Sequence, residues 1–239
     1  MRDFSDYRFP NGTVSFEDTE FGEGKVSFDR INIDGPLIFK PQVFEAESFS
    51  LSGAVIEGYA ELDFTRKSKP LKALNARGAA FKSPFEIKGK FECVPDFRGT
   101  RTDHHFDLSG MKHKLNRGSK RSRWLKLFSA ADDPEDRARL LRLKELAESN
   151  RDHKSALEFS ADENRAARCW KLGWNCFASS LDLTFSVISD YGQSIWRPSA
   201  AFVVLLGGCA EIFSRMSDKA DEFGEALVLA AANSFAFIP

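Results

Sequence analysis

Residues 11–39 read NGTVSFEDTEFGEGKVSFDRINIDGPLIF and say nearly the same thing three times. Gly12 precedes Phe16 by four residues, Gly24 precedes Phe28, and Gly35 precedes Phe39. With Phe16 as an anchor, the series continues through Phe28, Phe39, Leu51 and Leu62 at spacings of 12, 11, 12 and 11. Val14, Val26, Leu37, Phe49 and Ala60 stand two residues before the anchors; Phe21, Ile33, Phe44 and Ile56 stand five after, until Lys67 breaks the fifth copy. Gly12, Gly24, Gly35 and Gly58 recur four before, with Glu47 as the exception. An i, i+2 pair puts both side chains on one face of a short strand. A helix does not fit apolar positions at i, i+2 and i+7 with a Gly in almost every copy. A Gly ahead of each strand supplies a backbone that can turn at positive φ. Strand and corner alternating at a short fixed period predict coils stacked into a β-solenoid, each copy forming one side of a coil. The rhythm loosens after residue 66 but persists in Ala79, Ala80, Phe81, Phe85, Phe91 and Phe97, so the solenoid is expected over residues 1–110, ending in worn coils.

Composition agrees. Phe occurs 23 times against 3 Tyr and 4 Trp, which suits many equivalent apolar sites of one shape. With 42% hydrophobic and 29% charged residues the chain is an ordinary folded one. The net charge of −1 by itself predicts neither nucleic-acid binding nor a mimic of it. Its distribution is uneven: residues 1–65 hold thirteen Asp/Glu and five Lys/Arg, while Lys112 to Lys126 holds seven Lys/Arg and no acid. Cys93, Cys169, Cys176 and Cys209 form no CxxC pair, and MRDFSDYRFP has no apolar signal core, so reduced thiols in the cytosol are expected.

Residues 111–131 read as a basic linker, with Trp124, Leu125, Leu127 and Phe128 among the charges. Lys112, Lys114, Arg117, Lys120, Arg121, Arg123 and Lys126 suit an anionic membrane surface, at about 1 kcal/mol per basic residue, or a solvated lead into a helix. A nucleic-acid backbone contact is the other electrostatic reading, though no specific nucleic acid is expected. Asp132-Asp133-Pro134-Glu135 signals a helix start, with Leu140, Leu141, Leu143 and Leu146 as its apolar stripe. A second helix is expected from Asp152 to about Trp170, with Ala156, Phe159, Ala166 and Ala167 inward. Residues 132–190 would then form a helical hairpin over the open end of the solenoid, whose strand edges otherwise invite aggregation.

The phrases GTVSFEDTEF and GKVSFDRINI resemble the twelve-residue variant of bacterial pentapeptide-repeat proteins, and Phe39, Phe44, Phe49, Ala54, Tyr59 and Phe64 follow the family's five-residue step. The resemblance implies a right-handed, four-sided β-helix with Phe or Leu inward; the chain departs from it in placing Glu and Gln where that family prefers small residues. SDYGQSIWRP, residues 189–198, resembles the YG-x-S-x-x-RP turn of a membrane-bound subgroup, in which Phe159, Glu163, Ala166 and Arg168 match an acidic segment upstream. That subgroup implies membrane helices after the turn. Residues 199–213 give fifteen mostly apolar positions flanked by Arg197 and Arg215, with Glu211 inside, against the ~20 a span needs. Residues 226–239 are shorter still. The segment 191–239 is thus expected as a marginal anchor on a shortened relative or a fragment, with everything before residue 197 cytoplasmic, or else as apolar helices packed in a cytoplasmic protein.

No P-loop, GxGxxG, GxSxG, HExxH or paired-Cys motif occurs, so no enzyme, cofactor or catalytic residue is expected. Cys93, His104, His105 and His113 are the one metal-ligand grouping to weigh, and their spacing matches no zinc module. Asp103 beside His104 or His105 lacks a nucleophile, and Asn11-Gly12-Thr13 is a glycosylation sequon in form alone. The expected fold is mixed: a solenoid of 11/12-residue period followed by α-helices. The expected role is a non-enzymatic, membrane-associated scaffold that binds a protein partner on the solenoid face. Two alternatives stand beside it: a soluble DNA-mimicking inhibitor that binds a topoisomerase, and a small channel- or transport-coupled membrane protein.

Overall fold

The computed structural model describes residues 2–117, 131–167, 181, 184–186, 188–192 and 194–216. By contacts the chain divides into two units, Met1–Asn175 and Cys176–Pro239.

The first unit opens with a parallel β-solenoid of about 5 turns. Its strands fall into four sheets, which form the four walls of the coil. The first wall stacks Arg2–Asp3, Lys25–Ser27, Ser48–Ser50 and Ala73–Asn75. The second stacks Arg8–Phe9, Asn32–Ile33, Val55–Ile56, Ala80–Phe81 and Arg101–Thr102. The third, with the longest strands, stacks Val14–Ser15, Leu37–Phe39, Ala60–Phe64, Phe85–Lys90 and Phe106–Asp107, and Met111–Lys112 also pairs with Phe85–Lys90. The fourth stacks Glu20–Phe21, Val43–Phe44 and Lys67–Ser68.

On the first wall the partners Arg2↔Val26, Val26↔Phe49, Phe49↔Leu74 and Asn75↔Asp96 step by 24, 23, 25 and 21 residues. One 11- or 12-residue phrase is therefore half a coil, two walls and two corners, where the sequence reading had given it one side. Phe16 stacks on Phe39, two phrases on, with ring centroids 5.7 Å apart. Phe28 stacks on Phe4 at 4.8 Å and meets Phe39 across the interior at 5.9 Å. Phe28, Phe39, Leu51 and Leu62 are all buried, as are Phe21, Ile33, Phe44 and Ile56. Each such side chain contributes roughly 1.5–3 kcal/mol by area, and each ring pair about 0.5–1.5 kcal/mol more.

The glycines divide into two kinds. Gly12 and Gly24 sit at φ 93° and 119°, as a turning backbone requires. Gly35 and Gly58 work differently: a Cβ on Gly35 would run into the Gly12 carbonyl, and one on Gly58 into the backbone of Gly35. Coils approach too closely there for any side chain. The region expected as worn keeps its core, with Ala79, Phe81, Phe85, Phe91 and Phe97 buried.

Helix α1, Asp136–Ser149, follows the solenoid, and α2, His153–Ala167, returns against it. α1 starts later than the DDPE signal suggested. Glu135 takes the N-cap position with no side-chain bond, because Asp133 uses one oxygen on the Glu135 N–H (2.9 Å) and the other on Arg139 (2.7 Å). Leu140, Leu143 and Leu146 are buried as expected, but Leu141 is 43% exposed and Ala147 takes an inward place. Asp152 caps α2 by accepting the Ser155 N–H at 3.1 Å, and Ala156, Phe159, Ala166 and Ala167 point inward.

The hairpin closes the solenoid's last coil. The Asn150 side-chain oxygen accepts the Phe106 N–H at 2.8 Å, and Arg142 donates to the Thr100 carbonyl at 2.7 Å. At the other end, Arg2 occupies the inward column headed by Val26, and its guanidinium lies 5.3 Å over the Phe21 ring.

In the second unit a 3₁₀ turn, Asp190–Gly192, holds Tyr191 at φ 55° and Gly192 at φ 87°, and a helix runs Trp196–Met216. The expected span does not hold: among the described residues no helix is long and apolar enough to cross a membrane. Arg197, Glu211 and Arg215 fall within this helix, and its longest uncharged run, 198–210, is well short of the ~20 residues a bilayer needs. Residues 226–239, Arg168, and Lys120, Arg121, Arg123 and Lys126 of the basic belt lie outside the described residues.

Candidate functional site

The third wall is the broadest regular surface. Its outward residues form columns set by the register: Ile38, Glu61, Glu86 and Asp107 in one, and Asp63 beside Lys88 in the next. Neighbouring strands are about 4.8 Å apart, so Glu61 and Glu86 would repel unless bridged. Lys40 pairs with Glu61 at 2.8 Å, Lys88 with Glu86 at 2.5 Å, and the Tyr59 hydroxyl donates to Glu86 at 2.9 Å. Burial pushes the Tyr59 phenol upward, and the Glu86 hydrogen bond and the two carboxylates push it the same way. Tyr59 therefore stays a neutral donor, locked between two coils.

Stacking also rearranges charge. Of the thirteen acids in residues 1–65, eight sit in ion pairs: Asp6, Asp18, Glu23, Asp34, Glu45, Glu47, Glu57 and Glu61. Five of these take their cation from beyond residue 65: Arg66 on Asp18, Lys69 on Glu23 and Glu45, Lys72 on Glu47, and Lys82 on Glu57. The acidic front of the sequence is thus a mixed surface in the fold.

Where solenoid meets cap there is a cleft of about 560 Å³, lined by Lys72, Leu74, Cys93, Asn116, Asp136 and Arg139 among others. Burial pushes the Cys93 thiol up to about 11, which keeps it protonated and a poor nucleophile. Burial likewise raises Asp136, although Arg139 binds it at 2.7 Å. Burial would also raise Asp96, but Arg98 (2.6 Å) and its N–H hold it below the usual carboxylate range. Arg98 continues to Glu135 at 2.8 Å, so Asp96, Arg98, Glu135, Arg139 and Asp133 form one network from the last coil to α1. Its members pair with one another, apart from the buried Arg139 Nε, which has no hydrogen-bond partner, and together they make a joint between solenoid and cap.

The weighed metal ligands are not brought together. Cys93 lines the cleft, His104 and His105 are exposed between Arg101–Thr102 and Phe106–Asp107, and His113 is half-buried with Nε2 2.9 Å from Asp162 and its ring against Phe159. Among the described residues no group of three or more His, Cys, Asp or Glu could hold a metal ion. Asp103 is exposed, as is Glu211. Glu163 pairs with Arg137 at 3.6 Å, joining α2 to α1.

Sequence reasoning missed the Tyr59–Glu61–Glu86–Lys40 ladder. The signal was present as residues 21 to 27 apart, but only a known coil length makes them neighbours.

Further apolar surface lies in the second unit, where Ile195, Trp196, Val203, Val204, Leu205 and Ile212 are each more than 60% exposed. Lys112, Lys114 and Arg117 leave the last coil of the first unit, and Arg117 bridges antiparallel to Ala131. No family model, curated protein or solved structure matches this chain, so the likeness to pentapeptide-repeat proteins stands on the four-walled parallel coil.

Proposed function

We propose that the protein is a non-enzymatic scaffold that binds a protein partner on the third wall of its solenoid while its second unit rests on a membrane surface. The observation that carries the scaffold reading is the third wall itself: long strands, outward side chains fixed in columns, and charges cross-linked between coils. Such a surface loses little side-chain freedom on binding, which lowers the cost of association. Membrane contact is supported by the exposed Trp196, Val203, Val204, Leu205 and Ile212, which suit the interfacial layer of a bilayer, with Trp at the headgroup level. The basic residues Lys112, Lys114 and Arg117, with Lys120, Arg121, Arg123 and Lys126, add attraction to anionic lipid. The contact is peripheral, with the solenoid on the cytoplasmic side.

Flotation of the full chain with vesicles containing anionic lipid tests the membrane half. Wild type floats, high salt weakens the binding, and Val204→Asp with Leu205→Asp abolishes it. A double variant that floats like wild type defeats the membrane reading. For the scaffold half, Glu61→Lys with Glu86→Lys should abolish recovery of a partner by cross-linking in cells; an unchanged set of cross-linked proteins defeats it.

A further inference from the structure

The fourth wall stops while the solenoid goes on. Its three strands end at Lys67–Ser68, and two further coils follow on the third wall. In the first of these the chain turns from wall three straight to wall one. Leu71 bridges to Phe91, directly after Phe85–Lys90, and Glu92 donates to the Leu71 carbonyl at 2.8 Å. That coil is correspondingly short, stepping 21 residues from Asn75 to Asp96. The ledge left above Lys67–Ser68 is a cavity of about 360 Å³, with Phe64 and Pro70 in its lining. Three successive coils each bring one cation to it, Arg66, Lys90 and Lys112, and no acid is among the described residues that line it.

The charges on this ledge are unbalanced. Lys90 pairs in register with Lys112, so two exposed lysines stand opposite each other on strands about 4.8 Å apart. Like charges so placed repel. Glu61 and Glu86 meet the same difficulty and are bridged by Lys40, Lys88 and Tyr59, whereas Lys90 and Lys112 have no ion-pair partner among the described residues. Arg66 pairs with Asp18 at 2.8 Å, but both side chains are exposed, and such a pair is easily exchanged. Ser68 lines the same cavity from the inward column of Phe21 and Phe44. Its buried Oγ has no hydrogen-bond partner among the described residues, an unfavourable state for a hydroxyl. We propose that the ledge binds a phosphate monoester, held by Arg66, Lys90, Lys112 and, after a turn about its Cα–Cβ bond, the Ser68 hydroxyl. A phosphate monoester brings nearly two negative charges to the facing lysines, where a carboxylate or a phosphodiester brings one. The cavity has the size of a small-molecule site and no room for a duplex. The site requires neither the membrane contact nor the protein partner proposed above.

Titration calorimetry of the full chain with inorganic phosphate at low salt tests this. Binding saturates at one phosphate per chain in the millimolar range or tighter, and strengthens as pH rises through about 6, where the dianion forms. Lys90→Gln and Lys112→Gln each weaken it at least about fivefold, and Ser68→Ala about threefold. Lys25→Gln, on wall one and outside the cavity, leaves it unchanged. Melting separates binding from folding: without phosphate Lys90→Gln melts no lower than wild type, because a like-charge pair is gone, yet it loses the rise that phosphate gives wild type. Val204→Asp with Leu205→Asp leaves the titration as it was, so a failure of the membrane reading shows separately. Flotation then distinguishes the sources of the ester. If vesicles with phosphatidic acid float more protein than phosphatidylserine vesicles of equal surface charge, and Lys90→Gln loses the excess, the ester is a lipid headgroup; equal flotation makes it a soluble molecule. The proposal is overturned by a titration without saturation, by a Lys90, Lys112 or Ser68 variant that binds phosphate as wild type does, or by Lys25→Gln weakening it as much as they do.

Discussion

The two ends of the solenoid solve one problem differently. At the last coil a helical hairpin supplies matched polar partners to the terminal backbone: Asn150 for Phe106 and Arg142 for Thr100, with His113 on Asp162 fixing α2. At the first coil the four strands lie at the edges of their sheets, and the Arg2 guanidinium lies over the Phe21 ring. An inward charge at an edge is a recognised guard against indiscriminate strand addition. The last coil is tied to helices by side-chain hydrogen bonds; the first coil carries a cation on its inward column.

The largest test of this contrast compares buried rings along the stack. Phe106, stacked 4.4 Å from Phe85 beneath the cap, should cost about 3–5 kcal/mol as Phe106→Ala, and Phe28→Ala, in the second coil, should cost as much. Phe9→Ala, on the half-buried rim, should cost only about 1–2 kcal/mol. Urea melts of the three variants decide it, and equal losses at Phe9 and Phe106 would erase the difference between the ends. Next, Asn150→Ala leaves a terminal N–H unpaired at the capped end and should cost about 1–3 kcal/mol. Hydrogen exchange at Phe106 should quicken while exchange in the first coils stays as it was.

Acid offers a gentler probe of the cap. Burial would raise Asp162, yet the bonds from His113 and Arg165 hold its carboxyl below the usual range. Its folded value lies under its unfolded one, so its contribution is complete above about pH 4 and fades as pH falls through the folded value. Helicity followed by circular dichroism should therefore fall on acidification, with a smaller fall in Asp162→Asn. Identical acid titrations for the two proteins would remove Asp162 from the joint. The smallest effect is expected at the exposed pair: His104→Ala with His105→Ala should leave both melting temperature and metal content unchanged. Zinc bound by wild type and lost in the double variant would reverse that.

The walls were legible because V-x-F and its Gly are local signals that recur in phase, and Phe28, Phe39, Leu51 and Leu62 are buried as that phase requires. What depended on coil length was not. Gly35 and Gly58 read as turning residues, but their task is to let neighbouring coils touch. The acidic first sixty-five residues suggested a charged face, and Arg66, Lys69, Lys72 and Lys82 neutralise it from the coils stacked beside it. The start of α1 shifted because Asp133 is drawn to Arg139, a preference that no capping rule encodes. The apolar run 199–213 suggested a span, and its charges together with the shortness of the uncharged run deny it.

The half-coil phrase has a consequence for how such a molecule can change length. Deleting or adding one phrase leaves every inward Phe inward, because both halves of a coil read alike. It also turns everything downstream by half a revolution about the long axis, so the cap and the Tyr59 ladder would face the opposite side relative to Asp3 and Arg8. Whole coils change reach without changing aim; half coils change aim with hardly any change in the core. The repeat is thus a mechanical indexing device, and its tolerated edits come in two distinguishable classes.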